Sequence, residues 1–440
     1  MSKLILSLME TESKVDLREF EGSYLELFLL SAIVFVLFVI IVLWQTVNDF
    51  AYWYNEDYVK PLFLMLIMIT HGWLLLNALG CAYNLLPIIH QTQFFRQKDL
   101  RIQIWFCLAG QVLITSALFQ SEITFLENVG LLGLILNAVG LSWLAIPSLR
   151  VSKNRLNSMD QLGKVAYSLG IIMPVFGCLP VLFWLVLDTK SVFQFASYVI
   201  ATLVIGLINL TFLISHFERR LGWKLIPEQD KIKVFGLYLL FTIFASGYLF
   251  VELYHEIFPE FFSKVVMSIP FFWMFYSLNP KKVLANLKSK YPCSYPLVVG
   301  YLLILFNAIA FLIPQQNSSE YSVNVQPFTF LLSSALLINI GYGSYMNDDH
   351  LYISVQSRKK HYFLVFNVVL STILMFYLLF VHDFSNPLNL FLTIIWLMVQ
   401  AFIIYSVNNI IYSNLGIGTT GSKWSSTPMF YNRYQISHEE

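Results

Sequence analysis

The chain carries apolar runs at 23–48, 60–89, 102–120, 123–148, 163–187, 192–216, 232–254, 258–279, 293–314, 327–346, 361–381 and 387–411, twelve in all, divided by short polar links. Crossing the roughly 30 Å of hydrocarbon in a bilayer takes about 20 apolar residues in a helix. The runs are continuous instead of alternating at period two, which favours helices over a barrel. A helix also closes its backbone hydrogen bonds within its own segment, as lipid requires. The expected fold is an all-α, polytopic transmembrane helix bundle of about twelve spans. With 57% hydrophobic and only 12% charged residues, the chain lies outside the range of soluble domains.

Basic residues orient the bundle, because Lys and Arg in short loops stay on the cytoplasmic side. With the N-terminus inside, 24 of the 27 lysines and arginines fall in the even-numbered links and the two tails. Only Lys60, Lys190 and Lys264 fall outside. Adding or losing one span would scramble this alternation, so both termini are expected in the cytoplasm, at a cell membrane. The formal charge of +1 conceals that polarity. The partner expected from it is the lipid bilayer, with other membrane subunits as an option and no nucleic acid.

The domain reading is a cytoplasmic segment 1–22, one transmembrane domain 23–411, and a Gly-, Ser- and Thr-rich cytoplasmic tail 412–440. No cleavable signal is expected, since the first run is long and no small-residue cleavage site follows it. The soluble pieces are too short to fold as a catalytic domain. Any chemistry therefore sits among the helices. Cys81, Cys107, Cys178 and Cys293 have no paired spacing, which argues against disulfides and a cysteine metal site. "GIGTTGSK" in the tail looks faintly like a phosphate loop but follows no strand and opens no helix. The "NSS" at Asn317 matters only in a eukaryotic secretory route.

His71 is the histidine set deep in a run, about 11–13 residues from its outer end and hence roughly 16–20 Å down. A buried polar group there needs a partner, and an intramembrane histidine is a functional candidate by default. Gln111, Glu127, Tyr248 and Glu252 are the side chains to test as that partner; the alternative is a neutral imidazole satisfied by Asn, Tyr or a backbone carbonyl. The other histidines lie at helix ends, in a loop or in the tail, and none stand at i, i+4, against an ordinary zinc or di-metal site. The central membrane layer carries no carboxylate, so proton-driven antiport loses ground.

The chain also echoes itself. "LLLNALGCAYNLLP" (74–87) aligns on "LILNAVGLSWLAIP" (134–147) with six of fourteen positions identical, and "LLINIGYGSY" around Asn339 is a weaker third version. The second, fourth and tenth runs have the same direction, so the relation is parallel. Gly80 and Gly140 would allow close backbone approach, while Asn77 and Asn137 would hydrogen-bond across it.

The second run resembles that of the haem-copper oxidase large-subunit superfamily. There a His-Gly pair begins a helix that ends in a Tyr/Asn and Pro-bearing stretch, before a charged inner loop and a Trp-bearing third helix. Here His71-Gly72, Asn84, Pro87, "HQTQFFRQKDLR" and Trp105 stand in those places, and twelve spans with both ends inside also match. The resemblance implies that His71 occupies the position of an axial ligand to a low-spin haem. The departures are large: the seventh and tenth runs have no interior histidine and the sixth only terminal His216, so the copper-site ligands are missing. Three function classes follow: a haem-handling or redox-related protein on that scaffold, a carrier or permease for a small neutral or lipid-like substrate, and a structural subunit of a membrane complex. His71 is the expected cofactor ligand. Asn77, Gly80, Asn84, Gln111, Glu127, Asn137, Gly140, Glu252 and Asn339 are the intramembrane polar or close-contact candidates.

Overall fold

The computed structural model describes residues 23–48, 59–80, 97–119, 123–151, 156–157, 159–219, 225–255, 260–285, 294–312, 330–341 and 358–380, with scattered positions between 388 and 406. Helices occupy the first eleven apolar runs, and no strand occurs among the described residues. They are α1 (Ser23–Asn48), α2 (Val59–Gly80), α3 (Gln97–Phe119) and α4 (Ile123–Ser142, resuming as Ala145–Leu149). Next come α5 (Gln161–Val186), α6 (Lys190–Val199, continuing to Arg219), α7 (Lys231–His255) and α8 (Glu260–Ser277). Last are α9 (Ser294–Leu312), α10 (Leu331–Gly341) and α11 (Arg358–Phe380). Six of them, α2 to α7, are long and apolar enough to cross a membrane.

Burial sorts the helices into an inner and an outer set. In α2 and α6, 94% and 83% of the apolar window is buried, against 33–50% for α3, α4, α5 and α7. Every described residue of α10 is buried as well. A helix apolar all round belongs either inside a bundle or against lipid; here the second helix of each successive group of four is inside. The outer helices turn Leu132, Ile135, Val175, Leu182, Leu185, Leu240 and Phe244 outward, an apolar surface suited to lipid.

The packing repeats in units of four. α3 lies along α4, and α7 along α8. The last helix of one unit packs on the first of the next, α4 on α5 and α8 on α9. α2, α6 and α10 meet at the centre. Close seams rest on glycines: a Cβ on Gly110 of α3 would stand 2.8 Å from both Asn137 N and Gly133 O of α4, and one on Gly177 of α5 would stand 3.0 Å from Ala138 O. Ion pairs fix the ends. Arg150 donates to Asp99 at 2.6 Å, Lys60 pairs with Glu127, and Lys231 bridges Glu218 and Glu228.

Candidate functional site

Each inner helix is widened by a π turn: Met68–Leu74 in α2, Ile200–Gly206 in α6 and Leu331–Ala335 in α10. The three π turns touch one another. Such turns break the i→i−4 ladder and recur at functional sites. They sit on an eight-residue repeat, "THGWLLLN" (70–77), "TLVIGLIN" (202–209) and "LSSALLIN" (332–339). Thr70 and Thr202 hold matching places in it and bond back to Leu66 O and Tyr198 O, each at 2.7 Å.

The repeat ends in Asn77, Asn209 and Asn339, all buried, and these three amides form a chain across the centre. Asn77 Nδ2 donates to Asn339 O at 3.4 Å, and Asn339 Nδ2 donates to Asn209 Oδ1 at 2.7 Å and to Ala335 O at 2.9 Å. Asn209 Nδ2 and Asn339 Oδ1 are left without a partner among the described residues. The junction thus holds one open donor and one open acceptor in an apolar surround, where an unmet polar group costs about 1–3 kcal/mol. Neighbouring helices also send polar groups to the π turns. Tyr238 of α7 donates to Thr202 O at 2.7 Å, and Asn307 of α9 donates to Ser333 Oγ at 3.1 Å. Gln111 of α3 presses on the backbone at Gly72, where a Cβ would stand 2.5 Å from its Oε1. Both amide atoms of Gln111 are unpartnered among the described residues.

His71 lies in the α2 π turn and is fully buried. Its Nε2 is 3.3 Å from Phe176 O of α5 and its Nδ1 3.0 Å from Thr70 Oγ1. The carbonyl has a sequence reason to be available: its helical donor would be the N–H of residue 180, which is Pro180 and has none. With Nε2–H donating to Phe176 O, Nδ1 accepts, and the Thr70 hydroxyl shares its hydrogen between Nδ1 and Leu66 O. The imidazole is thereby a neutral strut between α2 and α5.

The side chains considered as partners of His71 have other positions. Glu127 pairs with Lys60, which also lies 5.7 Å from the Trp184 ring centroid. Tyr248 Oη is 3.3 Å from Ser263 Oγ, Glu252 is half-buried near the end of α7, and Gln111 is at Gly72. Asn137 and Gly140 belong to the α3–α4 seam: a Cβ on Gly140 would stand 2.6 Å from Cys107 Sγ. Gly80 is buried at the end of α2, and Asn84 lies outside the described residues. The helix that shares the asparagine junction with α2 and α10 is therefore α6, through Asn209. The signal for it was present in "GLIN" (206–209) beside "LLIN" (336–339).

A haem clasped between the second and tenth helices does not fit these residues. The His71 ring turns toward α5 with both nitrogens engaged, and across the centre α10 offers Ser333, Ser334 and Asn339. No group of three or more His, Cys, Asp or Glu that could hold a metal occurs among the described residues. A scan against protein-family models and a search of curated proteins return no match to this chain.

Proposed function

We propose that the protein is a multi-pass integral membrane protein of twelve spans with both termini cytoplasmic. On this reading its scaffold is of haem-copper oxidase type, and its centre passes a small neutral hydrogen-bonding solute instead of running metal chemistry. The observation that carries the reading is the open donor of Asn209 and the open acceptor of Asn339, set where the π turns of three inner helices meet. π turns inside helices recur at functional sites, and a buried amide pair with one free donor and one free acceptor selects a ligand that can both give and take a hydrogen bond. Among the described residues, the helices on the first eleven expected runs and their grouping by fours support the scaffold.

The test is osmotic. Proteoliposomes holding the wild-type chain should re-swell faster than empty vesicles in urea, formamide or glycerol, and Asn339→Leu should remove the difference. Equal rates for wild-type and empty vesicles with all three solutes would overturn transport. The purified protein should be colourless; a Soret band that vanishes in His71→Ala would replace this reading with the haem-binding one.

A further inference from the structure

We infer that the groove between α4 and α5 holds one acyl chain of a membrane phospholipid whose phosphate sits at Arg150. The groove measures about 420 Å³ and is lined by Ile135, Ala138, Val139, Trp143, Ile146 and Leu182, with Ser142, Cys178 and Val181 completing it. A sequence feature opens it. Pro147 has no N–H to give to Trp143 O, which takes the Ile146 N–H at 3.1 Å instead, and α4 is interrupted between Ser142 and Ala145.

The lining is almost wholly apolar, so a charged or hydrated ligand would lose its solvation there. Ile135, Val139 and Leu182 are 40%, 37% and 58% exposed, and they continue into the apolar surface of α4 and α5 that faces the bilayer. From Ile135 to Ile146 the groove runs about 16 Å at 1.5 Å per residue. One leaflet of hydrocarbon is about 15 Å deep, so the length fits a single chain. One turn beyond Ile146 stands Arg150, half-exposed, with Asp99 on its Nη1 at 2.6 Å. A guanidinium has five N–H donors in a fork matched to phosphate. Chain and charge are therefore spaced as in one phospholipid lying along α4. The site joins the first four-helix unit to the second, where lipid would act as part of the seam. This inference rests on the membrane location alone and not on solute transport.

Native mass spectrometry of the full-length protein, delipidated in detergent and titrated with palmitoyl-oleoyl phosphatidylglycerol, tests it. One lipid per chain should be retained by wild type. Val139→Trp, which fills the groove, should lower retention by tenfold or more, and Arg150→Gln by about tenfold, the loss of a charge-assisted hydrogen bond. Asp99→Asn, which leaves the guanidinium in place, and Leu132→Trp, on the same helix outside the groove, should retain lipid as wild type does. If Val139→Trp fails to give a monodisperse protein, Leu182→Trp fills the same space from α5. Wild-type retention by the groove-filling variant overturns the site, and wild-type retention by Arg150→Gln overturns the phosphate assignment.

Discussion

His71 and Pro180 act as a pair although they are 109 positions apart. The proline withholds a donor from Phe176 O, and the imidazole supplies one from another helix at 3.3 Å. Removing His71 leaves that carbonyl unmet, at a cost of about 0.5–1.5 kcal/mol by the measure of interhelical bonds in membranes. His71→Leu should accordingly lower stability by that amount in Pro180-containing protein. It should cost clearly less in a Pro180→Ala background, where the helix regains its own N–H. Thermal unfolding of the four proteins of the cycle reads the coupling; equal losses in both backgrounds would show that histidine and carbonyl are not coupled. A second pair sits at the α6 π turn, where a Cβ on Gly206 would stand 2.0 Å from Tyr238 Oη. Gly206→Ala should cost about 1–3 kcal/mol through overpacking, and Tyr238→Phe should recover part of it by removing the hydroxyl. That His71 lies within a helix of the second run was legible in the sequence, and Pro180, which frees Phe176 O, is written there too. Which helix would bring the two together was not, because a single chain records polarity along each span but not which faces meet.

At the scale of elements, two kinds of contact hold helices together. Inner helices meet through amides and π turns, and outer ones through glycine against backbone. Gly110, Gly133 and Gly140 form the α3–α4 seam, and the atoms a new Cβ would meet at Gly110 are backbone, which cannot swing aside. Gly110→Ala should therefore force the helices apart and lower the melting temperature, by about 1–3 kcal/mol of stability. Gly247→Ala on α7, with nothing within 4 Å of the new Cβ, should be neutral or slightly stabilising. Equal melting temperatures for the two variants would contradict the seam. Helix positions were readable because each run is apolar for its whole length, which is the signal lipid imposes. The π turns were not: they arise from packing among three helices and leave no turn residue behind. Asn209 was missed for a related reason. Its surroundings match those of Asn77 and Asn339 only over the eight-residue repeat, while the fourth run matches the second over fourteen residues and points to Asn137 instead.

Across the whole molecule, the grouping by fours and the distribution of charge make one joint demand. A unit with an even number of spans returns the chain to the side it left, so α2, α6 and α10 must run parallel. Only then do Asn77, Asn209 and Asn339 arrive at one depth from the same position of a repeat, as the 2.7 Å contact of Asn339 with Asn209 requires of that pair. The links after α4 and α8 then share a side, and both are rich in Lys and Arg, as the proposed topology with cytoplasmic termini expects of inner links. On the proposed topology the link between α5 and α6 faces out. Lys282, exposed in the short helix Pro280–Ala285, and Asp188, exposed before α6, are suitable reporters. In a chain freed of its native cysteines, Asp188→Cys should react with a membrane-impermeant maleimide in intact cells, and Lys282→Cys only after permeabilisation. Labelling of both in intact cells would put them on one side, with an even number of spans between them instead of the three helices α6, α7 and α8. The third unit would then be inverted against the second, and the parallel inner helices on which the asparagine junction depends could not exist in the membrane.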